Sequence, residues 1–365
     1  MVLIIKRMIS AILMAVLLLN MAPTALAGDG PLVSAQSAIV MHSGGEVVFE
    51  KNADAQSLIA STTKIMTAIV TIEHAELDEQ VKIKPEWCAV EGSSMYLRAE
   101  EEYSVKELLT GLMLASGNDA ALALANHVAG SETKFVSMMN RKAKELGLDN
   151  SRFANPHGLN AEEHYSTARD MAVLMDFCMQ NETFAEIAGS KVGTVKEQTY
   201  VNHNKLLTYC DGCIGGKTGF TERAGRCLVS CCERDGTRFI CVTLSAPDDW
   251  NDHRKLYDWA YARYADREVT EGIRFTVPVV SGNASSVEAV PEELRLFLPK
   301  SAELSLEAEM PYFVFAPVEA GDEAGRVRVL LDGETIAEAR LYYAESVASA
   351  FSAGKIIQKI VEQTV

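Results

Sequence analysis

Three short stretches of this chain hold side chains that can act on one another. The first is Ser61-Thr62-Thr63-Lys64. A serine hydroxyl is a poor nucleophile until a base takes its proton. On a helix, residues three apart share a face, so Lys64 Nζ can reach Ser61 Oγ. Lysine can accept that proton only as the neutral amine, the form that burial and a neighbouring cation favour. A helix start also points backbone N–H groups outward, so that of Ser61 can donate to a developing oxyanion. The second stretch, Ser116-Gly117-Asn118, adds a hydroxyl that can relay a proton to a leaving amine. It also adds a carboxamide that can bond a substrate amide and Lys64. The third, Lys217-Thr218-Gly219, offers a cation and a hydroxyl for a carboxylate or a proton network. Its glycine lets a substrate backbone lie close to the strand edge. Each stretch alone is weak, because tri- and tetrapeptides of these residues recur by chance. Their value lies in occurring together and in this order.

The elements that must position them can be read from pattern. Ser37–Met41 and Glu46–Phe49 read as a hairpin across Ser43-Gly44-Gly45. Ile65, Met66, Ile69 and Ile72 give residues 62–74 helical spacing behind Ser61. Ser104 and Glu107 form a capping box for a helix that ends just before Ser116. Further helices follow over about 119–128, 132–146 (closing at Gly147) and 168–179, the last capped by Thr167. Strands dominate 214–245 around an Asp235-Gly236 turn, and a helix spans about 252–264. The expectation is one α/β (α+β) domain of antiparallel sheet and helices over 28–267. Alternating apolar residues at Leu294/Leu296/Leu298, Leu304/Leu306 and Val327/Val329/Leu331 then predict a small all-β domain over 268–345. Residues 346–365 carry an amphipathic stripe: Ala353, Ile356, Ile357, Ile360 and Val361, with Lys355 and Lys359 off it. A terminal helix is expected there, able to lie on a membrane surface.

Composition narrows the classes. Thirty-four basic against 50 acidic residues give a formal charge of −16, which removes the basic footprint of a nucleic-acid binder. Met1–Ala27 reads as a secretory signal peptide. Lys6 and Arg7 precede an apolar run, and Ala25-Leu26-Ala27 offers the cleavage site, so the chain is expected to work outside the cytoplasm. Eight cysteines in a chain this long are no disulfide scaffold, and the expectation is free thiols, Cys210-x-x-Cys213 included. No clustered His, Cys or Asp set asks for a metal, and no cofactor motif is present.

Taken together, the three stretches resemble the set of class A β-lactamases and penicillin-binding proteins, with Gly117 rather than an aspartate second in the middle stretch, as in the carboxypeptidase group. With its flanks the chain resembles the low-molecular-mass penicillin-binding proteins, serine-type D-alanyl-D-alanine carboxypeptidases of sporulating bacteria. The matching stretches are Ala60–Thr67, Leu114–Ala121, Asn155-Pro-His-Gly-Leu159, His164–Ala168 and Gly216–Thr221 with Ala224-Gly225. The resemblance implies a penicilloyl-serine transferase fold and a two-step acyl transfer on a peptidoglycan stem pentapeptide. It makes Ser61 the acyl-ester nucleophile, Lys64 the base and Ser116 a proton relay beside Asn118. Lys217, Thr218, Gly219 and Phe220 would hold the substrate, the Phe220 N–H completing the oxyanion site. β-Lactams would acylate Ser61 as mimics of acyl-D-Ala-D-Ala. A β-lactamase, an endopeptidase and a non-catalytic penicillin- or wall-binding module share much of the pattern.

Two departures stand out. Asn202-His203-Asn204 lies where many relatives carry Asn-Arg-Asn. Asp248-Asp249-Trp250 occupies the region of a second family arginine, leaving Arg254 as the candidate. His203 is expected to be a polar surface residue, with a substrate contact as the alternative, and His157 and His164 are expected to structure loops.

Overall fold

A computed structural model describes residues 30–350 as two units that divide between Tyr261 and Ala262. Besides two short two-stranded ribbons, the first unit holds a five-stranded antiparallel sheet of β1 (Ser37–His42), β2 (Val47–Lys51), β3 (Cys213–Thr221), β4 (Gly225–Arg234) and β5 (Thr237–Leu244). Their order is β2-β1-β5-β4-β3, so β3, which carries Lys217-Thr218-Gly219, is an edge strand. Asp235 and Gly236 both have positive φ, 50° and 75°, as a two-residue hairpin joining β4 to β5 requires.

The principal helices of this unit are α1 (Lys64–His74), α2 (Val105–Leu114), α3 (Asn118–Ala129), α4 (Glu132–Glu145), α5 (Ala168–Met179), α6 (Glu182–Gly189) and α7 (Asp249–Arg263). The caps are those the sequence signals. Ser104 Oγ accepts from the Glu107 N–H at 3.2 Å while Glu107 Oε2 accepts from the Ser104 N–H at 2.7 Å. Thr167 Oγ1 accepts from the Asp170 N–H at 3.0 Å.

α1 differs from expectation in a way that matters. Its spacing predicts one apolar face, yet every residue from Lys64 to Thr71 is buried. The helix runs through the core, in contact with α2, α3, α4 and α5. A lysine at its start is therefore enclosed by the fold itself.

The second unit is all-β. Its six-stranded sheet has the order β10-β12-β13-β8-β7-β11. These are β7 (Phe275–Val280), β8 (Ser286–Pro291), β10 (Leu304–Glu309), β11 (Val314–Phe315), β12 (Glu323–Leu331) and β13 (Glu334–Tyr343). A separate ribbon pairs β6 (Tyr264–Glu268) with β9 (Arg295–Pro299). Val277, Val287, Val327, Ala339 and Leu341 form its core. The terminal helix expected from 346 does not begin there: Val347 and Ser349 form isolated bridges to Val318 and Gly282. The rest of that stretch, and the expected signal peptide, lie outside the described residues.

Candidate active site

Ser61 lies in a 3-10 turn, Ala60–Thr63, that leads into α1, not in the first α-helical turn. Three residues per turn align positions i and i+3, which brings Ser61 and Lys64 together more directly than an α-helix does. The turn is held tightly. Ala60 takes φ +47°, and Thr62 and Thr63 hydroxyls donate to the carbonyls of Ile59 and Ala60 at 2.7 and 2.8 Å. Gly158, at φ +92°, lies so close that a Cβ there would collide with the Ala60 carbonyl.

Lys64 Nζ is completely buried and has three neighbours: Ser61 Oγ at 3.0 Å, Asn118 Oδ1 at 2.6 Å and the His157 carbonyl at 2.7 Å. Two of these are carbonyl oxygens, which can only accept. A neutral amine has two N–H bonds and one lone pair. Donating to both carbonyls leaves the lone pair facing the Ser61 hydroxyl. Burial, and then the nearby Lys217 charge, push this amine well below the usual lysine range.

The second and third stretches close on the same point. Ser116, held at φ +59°, places Oγ 3.0 Å from Lys217 Nζ, which also donates to the Thr218 carbonyl at 2.9 Å. Lys217 is buried, and burial lowers it to about 7. Asn118 ties Lys64 to the loop that carries Glu91. Its oxygen accepts from Lys64 at 2.6 Å, and its Nδ2 gives one of its two N–H bonds to the Glu91 carbonyl at 2.6 Å. Gly219 leaves room where it is needed, since a Cβ there would sit 3.0 Å from the Ser61 amide nitrogen. Phe220 is exposed beside it.

A cleft of about 280 Å³ opens over these groups, lined by Ser61, Ser93, Ser116, His203, Thr218, Gly219, Phe220, Arg226, Asp249 and Trp250. All eight residues singled out in the sequence thus lie in it or directly behind it. His203 is exposed, as expected, and also lines the cleft, the position of its alternative reading as a substrate contact. Arg254 does not: it is exposed and bonds Asn251. The cation that faces the cleft is Arg226 on β4, the register partner of Phe220. Buried Asp249 Oδ1 accepts from its Nε and Nη2 at 3.0 and 2.8 Å, and the Trp250 ring lies 5.5 Å from its guanidinium. Arg226 carries no local sequence signal, whereas Asp119 lies within the matching stretch Leu114–Ala121 at the start of α3. Asp119 accepts from Ser94 Oγ and from the Met95 and Leu97 amides at 2.6–3.0 Å, fixing the loop that supplies Ser93.

The histidines behave as structural parts. His164 Nδ1 accepts from the Ala154 N–H at 3.0 Å and its Nε2 meets Thr63 Oγ1 at 2.7 Å. His253 bridges Ser230 on β4 and Thr243 on β5 at 2.8 and 3.0 Å. Burial holds His157 and His253 at about 3 and His164 at about 4, against an ordinary 6.5. Between those values the unfolded chain binds protons that the folded chain does not. Stability is therefore full above about pH 6.5 and declines as pH falls towards about 4, by up to ~1.4 kcal/mol per pH unit for each histidine. Thermal melts from pH 8 to 4 should show this fall, and His253→Gln should flatten it; an unchanged slope in that variant would exclude the residue. The eight cysteines are all unbridged. Cys210 Sγ approaches Cys232, at 3.9 Å, and not its motif partner Cys213.

The sequence profile of D-alanyl-D-alanine carboxypeptidases (the S11 peptidases) matches residues 24–248, and that of the C-terminal domain of penicillin-binding protein 5 matches 269–349. The chain is 33% identical to D-alanyl-D-alanine carboxypeptidase DacF of Bacillus subtilis over 94% of this chain and 95% of that one. It is 33% identical to DacC of Escherichia coli, over 92% and 90%. Among solved structures it is similar to penicillin binding protein 5 of Haemophilus influenzae. The TM-score is 0.67 at 29% identity, covering 87% of this chain and 99% of that one.

Proposed function

The chain belongs to the D-alanyl-D-alanine carboxypeptidase family, and we propose that Ser61 is the residue on which its acyl-enzyme forms. The protein is a serine-type D-Ala-D-Ala carboxypeptidase of the penicillin-binding kind. The observation that carries the assignment is the Lys64 amine, buried between two carbonyl acceptors with its remaining valence turned to Ser61 Oγ.

Lys64 takes the Ser61 proton as Oγ bonds to the carbonyl carbon of the penultimate D-Ala. The negative charge gathers on the carbonyl oxygen beside the Ser61 and Phe220 amides, in the space that Gly219 keeps open. Collapse breaks the C–N bond, and the leaving amine takes up the proton that Lys64 gained, relayed by Ser116 with Lys217 holding its hydroxyl, so that Lys64 is neutral again. Water then attacks the ester and gives its proton to Lys64, which returns it to Ser61 Oγ as the acid is released. A peptide added along the edge of β3 would bring the scissile carbonyl to Ser61. Among the described residues Asp249 is the one carboxylate lining the cleft, and Arg226 occupies it. This supports slow release of β-lactams over a β-lactamase reading, since no lining glutamate is placed to activate water for the penicilloyl ester.

Arg226 is the group best placed to meet the terminal carboxylate, with Asp249 and Trp250 fixing one edge of its guanidinium and the rest turned to the cleft. Arg226→Gln should lower kcat/KM on a D-Ala-D-Ala peptide by about 10- to 100-fold and barely alter the same peptide ending in a carboxamide. Equal losses on both substrates would remove this role.

The N-terminal segment over 1–27 and the stripe over 346–365 support an exported enzyme of the cell envelope, held at the membrane surface by its C-terminal segment. Among the described residues no helix is long and apolar enough to cross a membrane.

A further inference from the structure

The all-β unit leaves a run of large apolar side chains in water. Tyr312 is 96% exposed, Phe313 50% and Phe315 66%. Alternation along the extended chain explains the arrangement. Val314 turns inward onto the core, and its two neighbours share the outer face. Their rings meet edge to face, with centroids 5.5 Å apart. Phe315 pairs in register with Val280, itself exposed, which extends the same face. None of the three rings belongs to the unit's core cluster, and contiguous exposed apolar groups of this kind mark contact surfaces.

The chain leaves the unit at that spot. The Ala350 N–H donates to the Ser281 carbonyl at 2.8 Å, one residue from the Val280–Phe315 pair, and Ser349 bridges Gly282. The residues that follow, 351–365, are those with Phe351, Ile356, Ile357, Ile360 and Val361 in sequence. Residue 350 thus lies at the same edge of the unit as the exposed rings.

We propose that the Tyr312–Phe315 edge is a lipid-contact surface that enters the headgroup–acyl boundary of a bilayer beside the segment leaving at residue 350. The proposal rests on the envelope-enzyme reading. Phenyl rings suit hydrocarbon, and a tyrosine suits the interface. A sugar platform would need hydrogen-bonding groups at the rings, and Phe313 and Phe315 bring none. With a formal charge of −16 the chain has no net attraction to anionic headgroups, so apolar insertion carries the contact and salt changes it little.

The test uses the chain from residue 28 to 365, since the apolar segment over 1–27 would itself bind lipid. It is mixed with phosphatidylcholine vesicles, vesicles also containing phosphatidylglycerol, and isolated peptidoglycan. Tyr312→Ser/Phe313→Ser/Phe315→Ser should lower the vesicle-bound fraction by about tenfold and leave D-Ala release from a soluble peptide unchanged. Phe315→Trp should give fluorescence that brominated lipid quenches and that acrylamide quenches only without vesicles. Vesicle binding by the triple variant equal to the parent would overturn the proposal. So would loss of peptidoglycan binding alone, or a tryptophan shielded before any lipid is added. Failure of the parent to release D-Ala would reject the enzymatic reading separately.

Discussion

Ser61→Ala should release no measurable D-alanine and take up no penicillin, a loss of about 10⁴-fold or more from either reaction. Among the described residues, no other hydroxyl lies within hydrogen-bond distance of the Lys64 amine. Ser116 Oγ is 3.0 Å from Lys217, and Thr62 and Thr63 hydroxyls are bound to carbonyls. The variant should fold normally, because Ser61 is only half-buried and Lys64 keeps its two carbonyl partners. D-Ala release, intact mass after penicillin and a melting curve check the three parts. A penicillin adduct on the variant would show that another residue can be acylated.

Lys64→Arg should cost nearly as much, about 10³-fold or more in acylation, although the positive charge is kept. A guanidinium stays protonated and has no lone pair for the serine proton. It is also larger than the enclosed space at the start of α1, so Lys64→Met serves as the companion variant, removing the amine at similar volume. In the parent, acylation should rise with pH as the Lys64 amine loses its proton, in the range set by its lowered affinity. The sign follows from the role: the neutral form is active, so protonation at low pH switches the step off. Both variants should lose that ascending limb. Near-normal acylation by either would exclude Lys64 as the base and leave Lys217, held at about 7, as the candidate.

What was legible beforehand was mostly local. Ser104 with Glu107, Thr167 with Asp170, and Asp235-Gly236 announce caps and a turn through their neighbours, and each forms. The three reactive stretches were legible as a set because each supplies a part the others lack. What was hidden depends on distant parts of the chain. Arg226 and Asp249 meet only because β4 carries the arginine to the start of α7. The burial of Lys64 comes from helices that surround α1, which its own spacing cannot reveal. β7 was masked by Pro278, which tells against a strand although Val277 and Val279 alternate inward around it. The 346–350 stretch followed tertiary bridges to Val318 and Gly282 over its helical pattern.

The central claim is that the hydroxyl beside the buried amine is the one that becomes acylated. Incubating the protein with labelled penicillin, digesting it and locating the label tests this directly. The account predicts one label per chain, on the peptide that contains Ser61 and on that side chain, blocked by prior incubation with unlabelled drug. Label on any other residue, or none on a protein that still releases D-alanine, would contradict it.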